Sequence, residues 1–293
     1  MTRSGFVALA GRPNVGKSTL VNAIVEDKVA IVSDRPQTTR RAIRGIRSRG
    51  DRQIVLVDLP GVQRPRDALT SRMAARVRQE LEDADVALLL LNGEQGVGPG
   101  DRFIAGALAD AEAQVTIAVN KIDRLSRGAT AAMLAQAAEL EFGGELFPIS
   151  ARTGVGVEAL VEHLGELMPE GPFMFAARAT SDQPLAVVLA ELVREAAIKR
   201  TFQEVPHAVE AVVEEIERPR PELARVRALL WVESSSQKGI LIGAGGRMIK
   251  AIGTAARREI ERELDCRVHL DLSVRVRRDW RGDEGLLDRL GIT

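Results

Sequence analysis

Short apolar runs of strand length alternate with amphipathic stretches through the first 170 or so residues. Phe6 to Ala10, Gln53 to Val57, Val86 to Leu91, Val115 to Val119 and Leu146 to Ile149 are almost uninterrupted apolar segments, each leading into a polar turn. Runs of this length without polar alternation predict strands buried on both faces, as in a parallel sheet covered by helices. Thr19 to Val25, Asp67 to Leu81 and Asp101 to Glu112 carry the wider spacing of helices. The alternation predicts an α/β, doubly wound and largely parallel sheet, with the loops at the carboxyl ends of the strands gathered into one site.

The rhythm then changes. Glu170 to Gln183 is rich in Pro, Gly and small residues and reads as a connection. The expected division is a first domain over 1–171, a linker over 172–183 and a second domain over 184–293 with a core at about 201–278. There a helix from Leu185 to Arg200 precedes a strand from Ala208 to Glu214, and Pro219 and Pro221 mark a break. A strand from Ala224 to Ser234 follows, then two helices around a glycine turn, the second reaching Leu264. An alternating strand from Val268 to Arg277 completes a smaller α+β unit.

The turn after the first strand, Gly11 to Ser18, reads GRPNVGKS and matches the phosphate-cradling pattern G-x-x-x-x-G-K-[ST]. Gly11 and Gly16 let the backbone approach a polyphosphate, and successive N–H groups at a helix N-terminus make an anion site. Lys17 supplies a charge for the outer phosphates, and the Ser18 hydroxyl suits Mg²⁺. The second strand ends in Asp58-Leu59-Pro60-Gly61, where a Mg²⁺-ordering carboxylate belongs beside a phosphate loop. The strand at Val119 ends in Asn120-Lys121-Ile122-Asp123. Guanine presents N1–H and an amino donor together, and the Asp123 carboxylate can accept both, leaving the edge of adenine unmatched. The last strand runs into Ser150-Ala151, whose backbone is placed for the base carbonyl.

Composition narrows the picture. The 293 residues carry 41 basic and 41 acidic side chains, so any nucleic-acid surface must be local. A single Cys266 excludes an intramolecular disulfide and a cysteine-based zinc cluster. The apolar run before the glycine loop is too short for a signal peptide, and no window approaches a membrane span, so the chain reads as soluble and intracellular. Locally, Lys238 to Arg281 holds eleven Lys and Arg against six Asp and Glu. Within it Gly243-Ala244-Gly245-Gly246 forms GxxG between two helices, a turn that lets backbone pass close to nucleotide phosphates. Lys238, Arg247 and Lys250 would supply the charge there. With no Tyr and few aromatics, stacking on bases is expected to contribute little.

The ordered set GRPNVGKS, Thr38-Thr39, DLPG, NKID and Ser150-Ala151 resembles the Ras-like GTPase fold, and the helix-strand-strand-helix-GxxG-helix-strand order resembles a type II KH domain. Together they resemble the Era family of bacterial GTPases. The resemblance implies GTP and GDP as ligands, held by Gly11, Arg12, Pro13, Asn14, Val15, Gly16, Lys17, Ser18 and Thr19, by Asp58, Leu59, Pro60 and Gly61, by Asn120, Lys121, Ile122 and Asp123, and by Ser150 and Ala151. It implies Mg²⁺ at Ser18, Thr39 and Asp58, with Lys17, Thr39 and Gly61 in the hydrolytic machinery. Val62 stands where a water-orienting glutamine is often found, and the resemblance makes Asn14 a candidate ligand for K⁺ instead. It also implies the 3′ end of 16S rRNA and the 30S ribosomal subunit as partners, met through Lys238, Gly243, Ala244, Gly245, Gly246, Arg247 and Lys250. The chain is then a cytoplasmic monomer, with peripheral association at the inner face of the cell membrane known for some members. The alternative is an RNA-binding scaffold in which GTP is mainly a structural ligand; a metabolic kinase is disfavoured by the guanine-selecting NKID.

Overall fold

The computed structural model describes residues 1–32, 39–60, 67–110, 114–290 and 292. The described chain separates into two compact units, Met1–Val32 with Thr39–Asp182, and Gln183–Ile292. In the first, the elements in chain order are β1 (Arg3–Ala10), α1 (Lys17–Val25), β2 (Ile43–Arg49), β3 (Arg52–Asp58), α2 (Ala68–Glu82), β4 (Val86–Asn92), α3 (Pro99–Asp110), β5 (Val115–Asn120), α4 (Arg127–Ala138), β6 (Leu146–Pro148) and α5 (Val157–Leu167). The sheet order is β2-β3-β1-β4-β5-β6, parallel throughout except where β2 runs antiparallel to β3. Every residue of β4 is buried, which is what an apolar run between two helical layers requires.

Strand β2 is the element that the hydrophobic pattern did not announce, because its sequence IRGIRSR holds three arginines. It is an edge strand, and charge suits an edge. Ile43 and Ile46 still point inward, and a Cβ on Gly45 would meet Val21 Cγ1 at 2.6 Å, so the glycine is what lets α1 pack so closely. Helix α5 was also not foreseen, although Val157, Leu160, Val161 and Leu164 repeat at helical spacing and are all buried. Helix α4 shows no such stripe, burying only Met133 and Ala137.

The stretch read as a linker is tied to the first unit. Ser4 N–H donates to the Pro169 carbonyl, Ile46 N–H to Thr180 O, and Ser181 Oγ to Arg44 O at 2.9 Å. The buried side chain of Gln53 holds the middle: its Oε1 accepts from Met174 N at 2.8 Å and Phe175 N at 3.0 Å, and its Nε2 donates to Phe175 O. This stretch is therefore ordered by hydrogen bonds to the Gln53 side chain and to the edge strand β2 and not by deep apolar burial.

The second unit contains α6 (Leu185–Ile198), the short α7 (Val205–Ala208), β7 (Glu210–Arg220), β8 (Leu223–Val232), α8 (Ser235–Ile242), α9 (Arg247–Leu264), β9 (Arg267–Val276) and α10 (Glu284–Arg289). Its sheet is β7-β8-β9, antiparallel then parallel. Leu189, Val193, Ile252, Ala256 and Ile260 from α6 and α9 pack on the inward face of the sheet. Strand β7 runs through Pro219, tolerated because β7 is an edge strand. Arg194 is fully buried with Glu191 at 2.6 Å and Glu210 at 3.7 Å, an ion cluster that no apolar periodicity could signal.

Replacing Gln53 by Leu keeps the volume but leaves two N–H groups and a carbonyl of the strap without their partner. Unfolding of the full chain in urea should show the first unit destabilised by about 1–3 kcal/mol. Amide exchange at Met174 and Phe175 should rise first; unchanged protection there would show that the strap is held by other contacts.

Candidate functional site

The segments after β1, β3, β5 and β6 lie at the carboxyl ends of the parallel strands in the first unit, joined by Thr39 from the segment before β2, at the position where an open α/β sheet places its ligand. The turn after β1 needs its glycines for two reasons. Gly11 has φ +150° and a Cβ there would lie 2.6 Å from Leu90 O; Gly16 has φ +106° and a Cβ would lie 2.3 Å from Asn120 Nδ2. The loop is thus pressed between its neighbours, and Gly16 caps the N-terminus of α1. Lys17 is buried, with Nζ donating to the Gly11 carbonyl at 3.0 Å and the Arg12 carbonyl at 3.3 Å. Arg12 turns the other way, donating from Nε to the buried Asp101 Oδ1 at 2.9 Å, which ties the loop to α3.

Asp58 ends β3 fully buried. Its Oδ2 accepts from Ser18 Oγ at 2.6 Å and from Thr39 Oγ1 at 3.2 Å, while Oδ1 is buried with no hydrogen-bond partner. Burial lowers the pKa of Lys17, against the opposing charge of Asp58. Burial likewise raises that of Asp58, against Lys17 and the two hydroxyls. Each charge is expensive in a dry site without an anion or cation to complete it. The sequence placed Ser18, Thr39 and Asp58 together, and they do meet. Gly61, Thr38, Val62 and Gln63 lie outside the described residues.

On the far side of the loop, Asn120 is buried and reaches three segments at once. Its Nδ2 donates to Val15 O at 2.8 Å, and its Oδ1 accepts from Ala151 N at 2.9 Å and Lys121 N at 2.8 Å. Lys121 takes φ 69° and sends Nζ to the Asn14 carbonyl at 2.9 Å. Asp123 Oδ1 accepts from Ser150 Oγ at 2.7 Å, and Oδ2 accepts from Arg152. The Ser150 hydroxyl, and after it Arg152, hold this carboxyl below the usual carboxylate range against the cost of burial. An acceptor whose folded pKa is lowered stays ionised above its ordinary pKa and is lost only as pH falls through the lowered one. Arg152 had no signal in the sequence beyond its place after Ser150-Ala151.

In the second unit the turn between α8 and α9 is open. Gly243, Gly245 and Gly246 all have positive φ, of 68°, 59° and 76°. A Cβ on Gly243 would strike Met248 Cβ at 2.8 Å, whereas nothing lies within 4 Å of the positions a Cβ would take on Gly245 or Gly246. Ala244 and Gly245 are exposed, Arg247 Nε donates to Ala244 O at 3.2 Å, and Lys250 is exposed one turn along α9. Lys238 and the 42% exposed Ile240 lie on α8. Among the described residues no group of three or more His, Cys, Asp or Glu is arranged to hold a metal.

Residues 6–121 match the family described as 50S ribosome-binding GTPase, and residues 204–281 match the KH domain. The chain is 45% identical to GTPase Era of Mycobacterium avium over 99% of its own length and 98% of that protein's. It is 44% identical to GTPase Era of Mycobacterium tuberculosis, with 98% of each chain covered. Among solved structures it is similar to Era in complex with MgGDPNP and nucleotides 1506–1542 of 16S ribosomal RNA, at 32% identity, a TM-score of 0.96 and full coverage of both chains. An Aquifex aeolicus Era variant bound to GDP and aluminium fluoride matches at the same identity, TM-score and coverage.

The three-way role of Asn120 predicts a loss that is indifferent to the base. Asn120→Ala should lower the affinity for every purine nucleotide alike and destabilise the chain by about 1–3 kcal/mol, since buried groups lose their partners. Titration with guanosine and xanthosine nucleotides checks this; a change confined to guanosine would give Asn120 a direct role at the base edge.

Proposed function

The chain belongs to the Era family of GTPases, and from that membership we propose that it binds the 3′-end region of 16S rRNA and acts in assembly of the 30S ribosomal subunit, as a GTP-dependent switch. The observation that carries the reading is the presence, in one chain, of a guanine-matching carboxylate at Asp123 beside a phosphate loop and of an open GxxG turn in a KH unit. A relative in this family is known in complex with 16S rRNA nucleotides, which supports the choice of RNA. The scaffold reading, with hydrolysis incidental, is not favoured for a member of a GTPase family.

In this reading Lys17 leaves the carbonyls of Gly11 and Arg12 for the outer phosphates, and the N–H groups from Asn14 to Thr19 take the rest. Asp123 accepts from N1–H and the exocyclic amine of guanine, Lys121 lays its stem along the ring, and Ala151 addresses the base carbonyl. Asn120 holds the three loops in register. The residues fit Mg²⁺: the buried Asp58 Oδ1 lacks a partner, and the Ser18 and Thr39 hydroxyls gather beside it. When bound, Mg²⁺ supplies positive charge against the phosphates. The role of contacting the terminal phosphate through a main-chain N–H falls to Gly61, which lies outside the described residues. Asn14, at φ 63° on the rim of the loop, already presents its carbonyl to the ammonium of Lys121, so the rim accepts a cation, and its amide oxygen suits K⁺. The second unit takes RNA phosphates at Gly243, Ala244, Gly245 and Gly246, with charge from Lys238, Arg247 and Lys250. The chain works as a cytoplasmic monomer. No helix among the described residues is long and apolar enough to cross a membrane, so any contact with the inner face of the cell membrane would be peripheral.

Two variants of the full chain separate the halves of the proposal. Asp123→Asn should exchange GTP for xanthosine triphosphate, losing about 1–3 kcal/mol at guanine, with RNA binding kept. Ala244→Asp with Gly245→Asp, at positions where side chains meet open space, should lose 16S 3′-end RNA with nucleotide binding kept. GTP affinity unmoved by Asp123→Asn would refute the base contact, and RNA affinity unmoved by the loop variant would refute the turn as the RNA site.

Single-turnover hydrolysis at matched ionic strength should be faster in K⁺ than in Na⁺. Asn14→Gly keeps the positive φ free of strain and removes the amide, so it should abolish the difference while GTP still binds. Equal wild-type rates in the two salts would reject the cation role.

A further inference from the structure

The solvent face of α9 carries a second feature of the KH unit. Arg200, Arg247, Lys250, Ala251, Thr254, Ala255 and Arg258 line a shallow groove of about 410 Å³ with four cations and no acid among its lining. Elsewhere on the same helix the cations are neutralised: Arg257 lies 4.0 Å from Glu261 and Arg262 lies 2.8 Å from Glu259. On the groove they are not. Among the described residues Arg200 and Arg247 donate only to main-chain carbonyls, of Ala196 at 3.1 Å and Ala244 at 3.2 Å. Lys250 and Arg258 have no acidic partner among the described residues. A helix with acids at hand that leaves one whole stripe of cations unpaired is complementary to an extended anion.

Its form and position favour one class of anion. Arg247 directly follows the last glycine of the GxxG turn, so the groove starts where that turn ends. From Arg247 to Arg258 the stripe runs about 16 Å along the helix axis, which adds length beyond the roughly four nucleotides that a GxxG turn clamps. Between the cations stand Ala251, Thr254 and Ala255, small residues that leave a trough. The apolar face of α9, with Ile252, Ala256, Ile260 and Leu264, is spent on the core. A helix lying on a lipid surface needs that face free.

We propose that this groove is a second phosphate-binding track, which takes the sugar–phosphate backbone of the RNA strand running on from the GxxG turn, with Arg200 and Arg258 as its far contacts. The proposal rests on the RNA-binding reading above and extends it by two or three helical turns. The track makes affinity grow with RNA length past the turn, without adding base specificity.

The test uses the full chain with two single-stranded RNAs from the 3′ end of 16S rRNA, one of about four nucleotides and one of about twelve. Arg200→Gln with Arg258→Gln should weaken the longer RNA about tenfold at 0.1 M salt and flatten the slope of log affinity against log salt by about 1.4. The shorter RNA should bind as before, and melting temperature and GTP hydrolysis should not move. Arg200→Lys with Arg258→Lys should restore the longer RNA. Equal losses on both RNAs, or none on the longer, would overturn the track while leaving the GxxG site standing. Wild-type protein that binds neither RNA would overturn the functional reading and the track together. Vesicles of phosphatidylglycerol provide the remaining arm: weaker vesicle binding by the Gln variant, with the longer RNA unaffected, would make the groove a membrane contact and reject the proposal.

Discussion

Main-chain N–H groups can hold a phosphate only where the chain comes close with nothing on its α-carbon, and both units are shaped by that constraint. In the first, Gly11 and Gly16 are packed so tightly against Leu90 and Asn120 that a single methyl would displace the loop. In the second, Gly243 is pressed on Met248 while Gly245 and Gly246 face open space. The difference suits the proposed ligands. A nucleotide would sit in a fixed pocket whose walls come from other loops, whereas a strand of RNA would pass over a turn that must stand clear of the body of the domain.

Around the first loop the remaining features follow from having no room for relaxation. Lys17 and Asp58 are buried with opposite charge, and each is pushed toward its neutral form by loss of water. In the proposed function these charges answer the phosphates and Mg²⁺, and the surrounding hydroxyls of Ser18 and Thr39 limit the penalty of burying Asp58. Asn120 then supplies what the strands alone do not, a rigid link between the phosphate loop and the segments at Lys121 and Ala151. In the proposed function one amide thereby couples affinity for the phosphates to selectivity for guanine.

The KH unit solves its problem with less burial at the site and more in the scaffold. Its helices α6 and α9 close over one face of a three-stranded sheet, and the charge proposed to meet RNA stays at the surface where it keeps its water. The cost of burying charge appears instead in the cluster of Arg194 with Glu191 and Glu210, far from any role that the sequence motifs suggest. Within this unit Arg200 and Arg258 join the cations beside the turn only because α6 and α9 pack together; their separation in the chain gives no hint of it.

The alternation of apolar runs and turns determined the parallel sheet, because a strand covered on both faces must be apolar throughout, and the phosphate and base motifs were legible because their chemistry allows few substitutes. The division into a GTPase unit and a KH unit was legible for the same reasons. Strand β2 was not, since an edge strand needs only Ile43 and Ile46 inside and can be arginine elsewhere. Nor was the anchoring of residues 172–182, whose backbone bonds to Gln53 and the sheet edge leave no hydrophobic trace. Ser150 and Arg152 clasping Asp123, Asn120 joining three loops, and the groove on α9 whose cations have no acidic partner among the described residues depend on which side chains the fold brings within reach. Hydrogen bonds and ion pairs act over a few ångströms between residues far apart in sequence, so those relations were decided by the tertiary structure alone.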